Sequence, residues 1–310
     1  MLVAKVPECF VFKAYLSQSN CSTTLPQPEQ YTVPPLPEPR RLSDICAGWF
    51  EAIPSRKGMK KAIDRGWVRV NGEMADTGRW MHGGESVELH RPEVSNKPPF
   101  ALQLDVLFED EYLAVVVKPA GIAVSGNQRR TLENALVGNF APSAMPDALL
   151  RPEPVHRLDF PTSGALLVAK TQKTLAALNK MFEDRQVEKH YAAVVAGSVH
   201  PEGEVHLPIA DKLAHSSYEV LRSVDSKRFG QLHLLRLVPH TGRRHQLRIH
   251  MASLGCPILG DVQYAGENTL RGKGLFLHSE MLRFVHPVNG KVIEVRAKLP
   301  AKFERLIRQK

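Results

Sequence analysis

The chain has 310 residues, 43% of them apolar, and carries a formal charge of +9 with a pI near 9.4. That length supports one large domain, or a large and a small one, each with a core. No run of eighteen apolar residues occurs, which argues against a membrane span, and the excess of Lys and Arg points toward a polyanionic partner, nucleic acid first. Four well-separated cysteines (Cys9, Cys21, Cys46, Cys256) form no CxxC pair, so neither a disulfide framework nor a zinc site is expected, and a reducing, cytoplasmic compartment is. The N-terminus is broken by Pro7, Glu8 and Lys13 and has no clear small-residue cleavage site, so no signal peptide is read. Thirteen histidines raise the question of a metal, but HExxH is absent. His240, His245 and His250 are five apart and share no face of a helix or strand, so the expectation is no metal.

Along the chain, residues 1–39 read as an extension. Six of the 18 residues from Ser22 to Pro39 are proline, the composition of an extended, flexible linker. Residues 40–91 read as a small α+β module. Pro54–Arg65 (PSRKGMKKAIDR) predicts a short helix. Arg56, Lys57, Lys60, Lys61 and Arg65 occupy one half of its wheel, and Met59, Ala62 and Ile63 the other. Gly66 ends it. Trp67–Val70, the turn Asn71-Gly72 and Glu73–Ala75 predict a hairpin that presents Arg69, and Ser86–Leu89 a closing strand. A charge run on a helix is most often a solvated face; five basic residues on one side, next to Arg69, favour phosphate binding over that alternative.

That order, with Arg41-Leu42 at its start, KAIDRGWVRVNG within it and GGESVEL at its end, resembles the αL-type RNA-binding domain of a ribosomal small-subunit protein and several RNA-modifying enzymes. The resemblance covers about fifty residues. It implies that the basic helix and hairpin bind structured RNA.

Residues 92–100 (PEVSNKPPF) read as a linker, and 101–310 as the main domain. Strand-like runs dominate it: LQLDVLFED, YLAVVVKPAG, GALLVAK, HYAAVVAG, LHLLRLVP and KVIEVRAKL. Helical patterns interrupt them at Thr131–Val137, Gln172–Glu183 and Arg244–Leu254. Strands in runs with few helices predict an α+β fold with a mixed or antiparallel sheet. In Pro154–Thr171 (PVHRLDFPTSGALLVAKT), Asp159 precedes a turn that leads into a buried strand. By itself such an Asp reads either as a turn cap, the commoner role, or as a catalytic group on an anchored loop.

The phrase HRLDxxTSG resembles the signature of the RluA-type pseudouridine synthases, and further likenesses follow in that family's order. EDEYLAVVVKPAGIAV resembles its first motif, built on Lys118-Pro119; EKHYAAVVAG resembles its segment with an active-site tyrosine, here Tyr191. TGRRHQLRIHMASLGCPILGD resembles its last motif, whose arginine is Arg248. The departures are Val117 where Asn is usual, Ser125-Gly126 where His-Pro is often found, and Arg244 within a GRTH-like phrase. None falls on Asp159, Tyr191 or Arg248.

The resemblance implies an enzyme that converts uridine in structured RNA to pseudouridine, without metal or cofactor, since nothing is oxidised. Asp159 would be its central carboxylate. Arg248 would be its counter-charge, pairing it bidentately, and Tyr191 would offer a ring face to the uracil and a hydroxyl near the proton lost from carbon 5. Arg157 is the candidate to fill the space left by a flipped base, with a phosphate contact as the alternative. Large-subunit ribosomal RNA is the leading substrate and transfer RNA the alternative; a monomer without membrane attachment is expected. A non-catalytic RNA-binding or assembly factor on the same fold is a further reading, opposed by the complete trio. A hydrolase would need a second paired carboxylate or a metal site.

Overall fold

The protein is described by a computed structural model covering residues 28–50, 53, 55–90, 99–266 and 269–308. These divide into two compact units. The smaller holds the described residues up to His90 with Ala144–Arg151; the larger holds Pro99–Ser143 and the described residues from Pro152 onward.

The smaller unit runs β1 (Glu29–Thr32), β2 (Arg40–Arg41), α1 (Leu42–Ile45), α2 (Arg56–Asp64), β3 (Val68–Val70), β4 (Glu73–Met74), β5 (Trp80–Met81) and β6 (Ser86–Leu89). Ser55 caps α2 by accepting the Gly58 N–H at 3.0 Å. The helix buries Met59, Ala62 and Ile63 against Val68, Val70 and Val87, and turns its basic residues to solvent. Asn71 (φ 51°) and Gly72 (φ 83°) make the tight turn between β3 and β4, both left-handed as a two-residue hairpin requires. One expectation is corrected here. Glu29–Thr32, read as part of a flexible extension, pairs antiparallel with β6 as an edge strand. Pro28 and Pro34 flank this strand and do not interrupt it, so no ladder donor is lost. Tyr31 stacks on Trp49 with ring centroids 4.6 Å apart, and Val33 is buried. Residues 1–27 of that extension, and the predicted linker up to Pro98, lie outside the described residues.

After β7 (Val106–Glu109) and β8 (Leu113–Lys118) come α3 (Leu132–Leu136), β9 (Ala148–Pro154), β10 (Ser163–Thr171), α4 (Gln172–Glu183), β11 (Glu188–Ala196), β12 (Glu202–Val205), β13 (Ser216–Ser226), β14 (Gly230–Pro239), α5 (Gln246–Ser253), β15 (Leu277–Val285), β16 (Val292–Arg296) and α6 (Ala301–Ile307). Eight strands of the larger unit follow the order β12-β13-β14-β11-β15-β10-β8-β7, and β16 pairs with β15. All these neighbours are antiparallel except β10 and β15, which run parallel. The result is an α+β fold on a mixed sheet. β10 is buried along nearly its whole length, as a continuous apolar run in a doubly covered strand should be. Leu166, Val168, Val194, Leu235, Met251 and Leu277 form part of its core. No described helix is long and apolar enough to cross a membrane.

Candidate active site

The parallel seam sets up the site. Gly164 (φ 118°) lies against Ser279, and a Cβ at this position would stand 2.2 Å from the Ser279 carbonyl oxygen. Only glycine lets the two backbones approach so closely. Immediately before it, Asp159 opens a turn in which the Thr162 N–H donates to its carbonyl at 3.0 Å. The turn thus uses the Asp159 backbone, and its side chain points to the cleft.

Lys118, wholly buried at the end of β8, supports the turn from beneath. Its Nζ donates to the carbonyls of Pro119 (2.9 Å) and Phe160 (3.4 Å). Burial pushes its pKa down to about 8, and the Asp159 charge opposes that. His156 fixes the approach to the turn: its Nε2 accepts the Leu167 N–H at 3.0 Å and its ring stacks on Phe182. Desolvation, then the Lys189 charge, press its pKa to about 3, so this imidazole is a neutral acceptor.

Arg248 enters from α5, its side chain almost fully buried. It meets Asp159 through Nη1, 3.5 Å from Oδ2. The bidentate pairing expected between these two residues is instead made with Asp261. Arg248 Nε donates to Asp261 Oδ2 at 2.7 Å and Nη2 to Oδ1 at 2.8 Å. Asp261 Oδ1 also accepts the N–H groups of Gln263 and Tyr264. Burial disfavours ionised Asp261, but the Arg248 bonds and charge, with those two N–H groups, hold its pKa below the ordinary value. Burial likewise opposes the charge on Arg248, and the two carboxylates more than offset it. Tyr264 lies under the guanidinium, 5.0 Å from ring centroid to Cζ. Asp261 therefore aims the arginine, and the remaining nitrogen is presented to Asp159.

His245 completes this ring of groups. It sits in the left-handed region (φ 57°) just before α5, which delays the helix by two residues from its predicted start at Arg244. Its Nδ1 is 2.8 Å from the Tyr264 hydroxyl and its Nε2 3.8 Å from Asp159 Oδ1. Desolvation, with Arg248 and Arg244 nearby, lowers its pKa. Tyr191 comes from β11, directly after a register shift between His190 and Tyr191 that re-aims the side chain. It is buried beside Ser279, and desolvation raises its pKa, leaving the phenol protonated.

Asp159, Tyr191, Arg248 and His245 line one open cleft of about 730 Å³, together with Arg157, Arg185, Lys189, Arg243 and Arg244. The structure thus brings the expected trio and Arg157 together. The basic set Arg56, Lys57, Lys60, Lys61, Arg65 and Arg69 lies in the smaller unit. Lys57, Lys60 and Lys61 are exposed and carry no partner among the described residues. Arg56 is committed locally: its Nε donates to the Ser43 carbonyl at 2.8 Å and its Nη2 pairs with Asp44. Arg65 lies over Trp67, and Arg69 stands opposite Glu88 in the sheet. From the sequence neither Asp261 nor Tyr264 is singled out, and His245 is weighed only as a metal ligand. Asp261 closes the last quoted motif, so a buried Gly-Asp after Ile258-Leu259 was the available signal.

The mixed α+β architecture is that of solved pseudouridylate synthases. Human RNA Pseudouridylate Synthase Domain Containing 1 superposes with a TM-score of 0.52 at 25% identity, covering 63% of this chain and 83% of that one. Human RNA Pseudouridylate Synthase Domain Containing 4, at 23% identity, shares the fold with the same TM-score, covering 64% and 90%. The sequence profile described as RNA pseudouridylate synthase matches residues 112–253. Ribosomal large subunit pseudouridine synthase D of Xanthomonas campestris pv. campestris is 34% identical over 305 residues, 90% of this chain and 91% of that protein. An uncharacterized RNA pseudouridine synthase of Aquifex aeolicus is 33% identical over 296 residues, 86% and 92% respectively. The chain belongs to the RNA pseudouridine synthase family and is an isomerase of uridine in RNA.

Proposed function

We propose that this enzyme isomerises uridine in large-subunit ribosomal RNA, with Asp159 as its reacting carboxylate, acting as a cytoplasmic monomer. The observation that carries the reading is Asp159 itself: a carboxylate at the wall of a basic cleft, facing Arg248, which Asp261 holds rigidly. The reaction breaks the bond from N1 of uracil to the sugar and forms one from C5. C5 then loses a proton and N1 gains one, so nothing is oxidised. Asp159 acts as the carboxylate, and Arg248 faces it with a fixed positive charge. The Tyr191 ring packs the base and its protonated hydroxyl stands near C5. Arg157, exposed beside Asp159, occupies the space of the flipped nucleotide. The cations of the cleft and α2 hold phosphates, the latter as an αL-type module. The relative named ribosomal large subunit pseudouridine synthase D, which matches over 90% of the chain, supports the ribosomal substrate. The buried free thiols of Cys46 and Cys256 suit a reducing compartment.

The test incubates the protein with large-subunit ribosomal RNA and with transfer RNA, in EDTA, and maps pseudouridine in each. Product in the ribosomal RNA is expected. Product confined to transfer RNA would replace the substrate assignment, and none in either would overturn the reading.

A further inference from the structure

The hairpin of β12 and β13 gathers a second group of side chains, separate from Asp159. In its register Glu204 faces Ser217 and Val205 faces Ser216. One further antiparallel step sets His206 opposite His215. Residues two apart on a strand share a face, and residues directly opposite are neighbours, so Glu204, His206 and His215 converge. Glu204 Oε2 is 3.1 Å from His206 Nε2 and 3.2 Å from His215 Nε2. The three atoms all lie within 4.8 Å of one another.

The strand ends build this group outward from the cleft wall. His240, just after β14, donates its N–H to the His215 carbonyl at 3.0 Å and lines the cleft. Its ring stacks on His215 (4.2 Å, 24°), which stacks in turn on His206 (4.1 Å, 14°). His240 Nε2 is occupied by Ser217 Oγ at 2.9 Å, so it braces the stack without joining the convergent set.

Two imidazole nitrogens and a carboxylate are a ligand set that borderline divalent ions prefer. Metal–ligand bonds of about 2.0–2.1 Å at tetrahedral angles separate the ligand atoms by about 3.3 Å. The two separations to Glu204 Oε2 already match that spacing. The rings must tip out of their stack for both lone pairs to meet an ion. His206, with 66% of its side chain exposed, has room to do so. We propose that Glu204, His206 and His215 bind a divalent transition-metal ion of the zinc class at the surface, with solvent completing its coordination. This site is independent of the isomerisation, which uses other residues.

The experiment titrates the tag-free, full-length chain with Zn²⁺ by calorimetry near neutral pH, and with Co²⁺ by its visible absorption. One saturable equivalent is expected. His206→Ala and His215→Ala should each weaken it at least about tenfold, the scale that even supporting residues of metal sites show, and Glu204→Gln should weaken it as well. His240→Ala should retain binding. His206 is exposed, so its variant tests the site even if the His215 variant fails to fold. Absence of saturable binding, or binding unchanged in the His206→Ala variant, would overturn the proposal and leave a plain hydrogen-bonded cluster. RNA is not present in the titration, so failure of the substrate assignment leaves this result intact.

Discussion

Arg248 and the lysines of α2 are both cations of an RNA-modifying enzyme, and they occupy opposite surroundings. Arg248 is buried, forked onto Asp261, stacked over Tyr264 and presents one nitrogen to Asp159. Lys57, Lys60 and Lys61 project from an exposed helix face without partners among the described residues. Burying a charge is costly unless its hydrogen bonds are satisfied, and a satisfied buried charge has a fixed direction. Exposed charges cost little, act over about a Debye length and are weakened by salt. A single aimed cation suits a reacting centre; several free ones suit a phosphate backbone whose exact position varies.

The sharpest way to break this contrast is at the carboxylate that Arg248 faces. Asp159→Asn keeps shape and removes charge. Turnover should fall by about three orders of magnitude or more, within the range that acid–base and nucleophilic groups supply, while RNA affinity changes little. Single-turnover assays beside binding titrations check this; product formation within tenfold of wild type would sink the role given to Asp159. Next in size is Asp261→Asn. If Asp261 aims Arg248, turnover should fall about ten- to a hundredfold, with about 3 kcal/mol lost in stability from breaking a buried pair. Because Asp261 is depressed in the folded state, its contribution is complete above the ordinary carboxylate pKa near 4 and is lost as pH falls through the folded value. The variant's denaturation midpoint should therefore vary less with acid below about pH 4. A variant that loses stability but keeps full turnover would make Asp261 a structural residue only.

On the exposed side, changing Lys57, Lys60 and Lys61 together to Ala should lower the log–log salt slope of RNA binding by about two to three units, at about 0.7–0.9 per phosphate contact. Turnover at saturating RNA should hold. An unchanged slope would mean a merely solvated face, and a loss confined to one RNA would mean that the lysines read sequence.

What could be read in advance follows the range of the interactions. Helix α4, the β3–β4 hairpin and the buried run of β10 depend on local periodicity and turn chemistry, and the sequence predicts them. Asp159, Tyr191 and Arg248 stood out through motifs, and the structure brings them into one cleft. The partner of the Arg248 fork was not legible. Asp261 is thirteen residues away and reaches the guanidinium only through the turn after Ile258. The Glu204, His206 and His215 group escaped for a related reason. Their spacing fits no helix, and only the register of β12 against β13 makes neighbours of His206 and His215. Proline content also misled at Glu29–Thr32, because it records where a ladder donor is missing and not what lies between the prolines.

The smallest expected effect is the one that separates a helical wheel from a structure. On the wheel Arg56 belongs with Lys57, Lys60 and Lys61. In the fold its guanidinium is tied to the Ser43 carbonyl and the Asp44 carboxylate, linking α1 to α2. A cation already facing a carboxylate displaces fewer counterions from RNA, because part of its field is neutralised before RNA arrives. Arg56→Ala should therefore change the salt slope by well under the roughly 0.7–0.9 unit of a full phosphate contact. Its cost should appear as stability, about 0.5–1 kcal/mol, since the pair is exposed and such pairs contribute little. Restoring only the positive charge, with Arg56→Lys, should leave the slope at the wild-type value, while the stability loss persists because lysine lacks the two-pronged geometry that reaches both acceptors. Salt titrations and urea denaturation of the two variants separate these effects. If Arg56→Ala lowers the slope by a full unit with stability unchanged, Arg56 leaves Asp44 for RNA and belongs with the free lysines after all.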